Sequence, residues 1–179
     1  MSELDEAWAM ALAEAEHRAR TAGRGELADY LSLRNSNDLL RRSGIDWLLS
    51  SFTNLAGEAN RVGASLQIAS ADTHRFKIGT STMVGNLLTL SNGVRQLFIE
   101  AGWPRTPRDG FVRGGGLACA NIRHLVIASA NEELVLTKTS TGAPSWLWSG
   151  ETVNRTIVHE SDLRRHVGIL LDVRRTKKF

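Results

Sequence analysis

Three arginines, Arg105, Arg108 and Arg113, lie close together in the chain between Trp103 and Gly114, with Phe111 among them. Guanidinium groups are rigid planar forks that pair bidentately with carboxylate or phosphate. The two aromatic side chains add flat contact area. Such a set suits an anionic small molecule with a flat or apolar part, or an acidic protein segment. Asp109 would orient one of the arginines or act as a base. Gly114 and Gly115 would let a ligand approach the backbone closely, or offer their amides as an anion-binding nest. The candidate ligand-binding set is therefore Trp103, Arg105, Arg108, Asp109, Arg113, Gly114 and Gly115, with no catalytic residue assigned. The competing reading is a structural loop whose arginines satisfy nearby carboxylates and carbonyls.

The surrounding stretch, Gly102 to Gly116, holds two of the three prolines and five of the sixteen glycines. Proline fixes φ and removes a donor, and clustered glycines weaken a helix or a central strand. The pattern predicts a long loop between two strands. Loops longer than about 12 residues inside compact domains are uncommon and usually carry function or are disordered.

Other reactive side chains carry weaker signals. Cys119 sits among small apolar residues, where a free thiol behaves as a buried hydrophobe. His124, five residues on, would face the other side of an extended strand, so no cysteine–histidine pair is expected. His159 and His166 are seven positions apart, too far along a helix to share one ion, and His166 is expected to pair with Asp162 at the surface. His74 reads as a turn residue. No metal site is expected, and no cofactor: the phosphate-loop, dinucleotide and nucleophile-elbow templates all fail. Glu100, at a strand end beside the loop, is expected to bridge to a loop arginine. Trp146 and Trp148 share one face of a strand, as core residues or as a stacking platform.

The elements that would hold these groups follow from periodicity. Residues 1–62 read as three helices: one capped by Ser2 and ended by Gly23-Arg24-Gly25, one over about 26–42 that Asn35 to Asp38 would break or recap, and one carrying Ile45, Leu48, Leu49, Phe52, Leu55 and Ala56 that stops at Gly63. From residue 63 the period falls to two. Leu66 and Ile68, then Phe76 and Ile78, alternate with polar residues around a polar turn. Asn92-Gly93 is a preferred hairpin pair and predicts Leu88 opposite Leu97. Seven or eight strands follow one another without helices, which predicts an antiparallel sheet or partly closed barrel over 63–158. A short helix over 159–172 and a basic tail over 173–179 complete a single domain, 1–179, of α+β class.

Composition narrows the function classes. Four cations in the tail (Arg174, Arg175, Lys177, Lys178) exceed the net charge of +3, so the body is close to neutral. That argues against a nucleic-acid partner, although the tail, the loop and the tryptophans could form one weak polynucleotide surface. A single cysteine excludes an intrachain disulfide. The first ten residues carry three acids and no basic stretch, and no run of about 18 apolar residues exists. A cytoplasmic protein without a membrane partner is expected. The leading expectation is a non-enzymatic binding domain, dimeric through its N-terminal helices. The alternative is a small enzyme with the loop as a lid and Asp109, Glu100 or His124 as base.

Overall fold

The computed structural model describes residues 3–150 and 156–172. Two helices come first, α1 (Glu3–Thr21) and α2 (Gly25–Arg61). Six strands follow: β1 (Gln67–Ile78), β2 (Ser81–Asn92), β3 (Arg95–Trp103), β4 (Ala118–His124), β5 (Glu132–Lys138) and β6 (Pro144–Trp148). Helix α3 (Glu160–Leu170) closes the described chain. The strands form one open antiparallel sheet in sequence order, so β1 and β6 are its edges.

Alternation along the strands sorts side chains between two faces. Leu88, Leu90, Leu97, Ile99, Ile122, Leu134 and Leu136 point to the face covered by the C-terminal half of α2 and by α3. They pack there with Leu48, Phe52, Leu163 and Leu170, all essentially out of water. The other face carries a smaller apolar cluster of Phe76, Met83, Cys119 and Val135, with Val112 from the loop laid over it.

The α+β order of elements agrees with the sequence reading, but two counts change. The N-terminal helices are two, because α2 runs through Asn35 to Asp38 without a break. Asp38 does not recap the chain. It faces inward, and its carboxylate accepts from Arg41 at 2.7 Å, while Arg41 Nε donates to the Leu117 carbonyl at 2.8 Å. Gly44 also stays helical. A Cβ there would stand 2.6 Å from a methyl of buried Leu136, so this glycine marks a close helix–sheet approach rather than a stop. Trp146 fixes the same point, its indole N–H donating to the Gly44 carbonyl at 2.8 Å.

The strands among the described residues number six. The polar turn expected near residue 72 is a bulge within one long strand: the β1–β2 register shifts between Ala71 and His74, with Thr73 at φ 57°. Ile157 makes only an isolated bridge to Leu147, and 151–155, part of the last expected strand, lie outside the described residues. The hairpin register also differs. Leu88 faces Ile99, and Leu90 faces Leu97. Asn92 pairs with Arg95 instead of standing in the turn, so the two turn residues are Gly93 and Val94 rather than Asn92 and Gly93. Gly93 alone takes positive φ, 58°. The two-residue shift leaves every side chain on its expected face. The Ser2 cap and the 173–179 tail lie outside the described residues.

Helix α2 meets the sheet from Arg41 onward, so its first sixteen or so residues project past the sheet, about 24 Å of helix at 1.5 Å per residue. α1 folds back along this projection and packs on α2 alone to any extent. Leu12, Ala19 and Ala28 form the buried seam, while Met10, Tyr30 and Leu33 are exposed.

Candidate functional site

The 104–117 loop leaves the end of β3 and is tied down at several points. Thr106 and Asp109 cap a single 3₁₀ turn over Pro107–Asp109: the Asp109 carboxylate accepts from the Thr106 N–H and hydroxyl, both at 3.0 Å. Arg75 of β1 reaches the same carboxylate at 2.9 Å. The Thr106 hydroxyl above all, then the Thr106 amide and the Arg75 charge, hold the Asp109 carboxyl below its ordinary value. Gly110, at φ 91°, runs close to Ser81, and the Ser81 hydroxyl donates to the Phe111 carbonyl at 3.1 Å. Val112 then enters the outer apolar cluster, and the Leu117 N–H donates to Leu136 at 2.7 Å.

The seven candidates sit at one end of the sheet but do not ring a cavity. Trp103 is buried beneath two guanidinium groups, Arg105 at 3.6 Å and Arg41 at 5.7 Å from its ring centre. Arg105 also donates to the Val84 carbonyl at 3.4 Å. Arg113 lies beside Gly79, in the turn between β1 and β2. Val84 stands three residues along β2 from Ser81, the first strand residue after that turn, about 10 Å, so Arg105 and Arg113 are anchored at separate points. Arg108 is exposed. Gly114 and Gly115 are exposed and take left-handed φ, 69° and 71°. Three clefts among the described residues are lined without any loop residue.

Sequence reasoning missed two contributors. Arg75 and Lys77 alternate with Phe76 and Ile78 along β1, and both are exposed at the loop's end of the sheet. The period-two pattern carried that signal. With Arg105, Arg108 and Arg113 they bring five cations to the loop's end of the sheet, where Asp109 pairs with Arg75. Lys77, Arg108 and Arg113 have no carboxylate within 4 Å among the described residues. Phe111 stands 80% exposed in their midst.

The other reactive groups are internally satisfied. Glu100 is 4% exposed on the outer face, and its partners come from strands rather than from the loop. His74 donates to it at 2.8 Å, Arg123 bidentately at 3.1 Å and Asn121 at 3.3 Å. Burial pushes this carboxyl up, but the bonds from His74 and Arg123 outweigh it and hold it below the usual value. His166 is wholly buried and does not pair with Asp162, whose carboxylate caps the α3 N-terminus through the His159 N–H at 2.9 Å. Instead His166 Nε2–H donates to Glu132 at 2.7 Å, which leaves its Nδ1 to accept from His124 Nε2–H at 3.0 Å. Arg165 grips the same Glu132 with two 2.9 Å bonds. Burial, then the neighbouring His166, lower His124 to about 4. Burial pushes the Cys119 thiol up to about 12, far from a nucleophile's range. Trp146 and Trp148 both pack on the helix-covered face as part of the core. Among the described residues no group of three metal-ligating side chains gathers, and no helix is long and apolar enough to cross a membrane. Compared with protein-family models, curated proteins and solved structures, the chain matches none.

Proposed function

We propose that this chain is a non-enzymatic interaction domain that receives an acidic protein segment on the basic end of its sheet. One observation carries the reading: five cations and an exposed phenylalanine lie at one end of the sheet, and three of the cations lack an acidic partner among the described residues. An extended acidic segment fits better than a small anion, because Arg105 and Arg113 are anchored at separate residues and line none of three clefts among the described residues. The lid-enzyme reading loses its bases: Asp109 serves as a cap, Glu100 is engaged by three side chains, and His124 is buried against His166.

The test is binding of a poly-glutamate of about 20 residues at low salt, where surface charge is least screened. Replacing Arg105, Arg108 and Arg113 together by alanine should weaken that binding about tenfold or more, since each lost contact of this kind is worth up to about 1 kcal/mol. The melting temperature should stay within a few degrees. Equal binding by the triple variant refutes the proposal. Duplex DNA bound more tightly than poly-glutamate would favour a nucleic-acid partner instead.

A second copy of the chain is also proposed as a partner, through the projecting α1–α2 arm. Two antiparallel helices bury only one seam, and here Met10, Tyr30 and Leu33 remain outside it. Pairing two such arms would make a four-helix bundle. Tyr30→Lys with Leu33→Lys should convert a sedimenting dimer to monomer without unfolding the sheet. A wild-type chain that sediments as a monomer at high micromolar concentration rules this out.

A further inference from the structure

Strand β1 is an open edge, and its two halves are built differently. Residues 67–71, on one side of the bulge, carry no charge. Residues 74–78, on the other, read His-Arg-Phe-Lys-Ile and put Arg75 and Lys77 on one face, Phe76 and Ile78 on the other. The opposite edge is managed: β6 opens on Pro144, and Ile157 bridges to Leu147. No strand flanks the outer side of β1 among the described residues. An edge of this kind presents backbone donors and acceptors that another strand can complete.

Charge decides which strand. A second copy of β1 laid antiparallel on 74–78, centred on Phe76, would set Arg75 opposite Lys77 at both ends of the pairing. Like charges directly opposed destabilise a sheet pair. An acidic strand reverses the sign at the same positions. Residues two apart on a strand share a face, so carboxylates at alternate positions would meet Arg75 and Lys77 together. The loop brings further positive charge to this end. Arg75 is held by Asp109 at 2.9 Å, one residue from Arg108, and Gly79, just beyond β1, lies beside Arg113. The exposed Phe111, bonded through its carbonyl to Ser81, offers an apolar contact at the same place.

We propose that residues 74–78 of β1 accept an extended segment of a partner protein as a seventh strand, with carboxylates at alternate positions paired to Arg75 and Lys77. This rests on the reading that the basic end receives an acidic segment, and it adds the binding mode: backbone hydrogen bonds hold the segment, and charge selects it. The cations then have two roles. They discourage self-pairing of the edge and admit a strand of opposite sign.

The probe is an acetylated octapeptide of alternating valine and glutamate, compared with its fully N-methylated form, which keeps every carboxylate and loses every backbone donor. The parent peptide should bind and protect the amides of 74–78 from hydrogen exchange. N-methylation should weaken binding about tenfold or more, the effect expected when strand addition supplies the affinity. The double variant Arg75→Glu, Lys77→Glu should lose the glutamate peptide and gain the matching valine–lysine peptide, a reversal that a merely unfolded variant cannot give. Equal binding of the parent and methylated peptides overturns strand addition and leaves the basic end as a charged surface. Strand addition is likewise overturned if poly-glutamate binds and the octapeptide does not. Failure of both probes removes the acidic-segment reading as well.

Discussion

Replacing Phe52 by alanine should cost about 3–5 kcal/mol of folding stability, the range for a large buried aromatic truncated in a core that cannot fully collapse. Phe52 has no exposed surface and stands on α2 where the helix crosses the sheet, its ring centre 6.4 Å from that of His166 on α3. It is therefore a joint among three layers: α2 packs to the sheet and to α3 through this region. The residues around it, Leu48, Leu97, Ile99 and Leu163, are equally buried and already pack against further neighbours, so none can swing into the space. A domain of this size has about 5–15 kcal/mol in total, so the loss would be a large share. Urea unfolding at neutral pH measures it directly, from the shift in midpoint at unchanged slope. A loss below about 1 kcal/mol would mean that α2 is not anchored here. Phe111→Ala provides the contrast. That ring is exposed, and its removal should leave the midpoint within about 0.5 kcal/mol, as for surface changes generally, while weakening the acidic probe.

The stripe that includes Phe52 was readable because its spacing repeats on one helix face, Ile45, Leu48, Phe52, Leu55 and Ala56, and all five are core. The strands were readable for the same kind of reason: period two places Leu88, Leu90, Leu97 and Ile99 on one face, and a two-residue slip in hairpin register cannot disturb that. What local pattern could not supply was the tertiary partner that overrides a break signal. Asn35 to Asp38 look like a helix interruption, yet Asp38 is held inward by Arg41, and Arg41 is held by a carbonyl 76 residues away. Gly44 looks like a helix end until Leu136 and Trp146 are brought against it. The loop was legible from its prolines and glycines, and its arginines do come to one end of the sheet. Their spacing there was not legible, because it depends on which strand residue each one reaches. Glu100 illustrates the same limit: its partners Arg123 and His74 are adjacent only through sheet register. So is the His124–His166–Glu132 chain, which joins β4, α3 and β5.

That chain carries a strong pH signature. Folding stability should fall as pH drops from about 6.5 toward 4, because the folded state resists protons that the unfolded chain accepts. Burial, with the neighbouring His166, lowers His124 from 6.5 to about 4. Burial also lowers His166, against the opposing pull of Glu132. The sign follows from linkage. A group whose folded value is depressed leaves the unfolded state with more bound protons between the two values, so stability rises with pH in that window and is complete above about 6.5. One such proton gives a slope of about 1.4 kcal/mol per pH unit, and His124 alone then accounts for about 3 kcal/mol by pH 4. The hydrogen bonds explain why protonation is resisted. Neutral His166 donates to Glu132 and accepts from His124, and a proton on His166 Nδ1 would turn that acceptor against the His124 N–H. Glu100 and Asp109 are held below their ordinary values of 4.5 and 3.8, so their own stability contribution is lost mainly below the pH 7.5 to 5 range of the measurement. Urea midpoints measured at half-unit steps from pH 7.5 to 5 should show the decline. His124→Gln keeps an N–H for His166 Nδ1 and removes one titrating ring, so its stability should change less steeply than the parent's over those steps. A parent midpoint that is level from pH 7 to 5 would show that the two rings take up protons as readily folded as unfolded. The burial of this pair between β4 and α3 would then not govern the acid response of the domain.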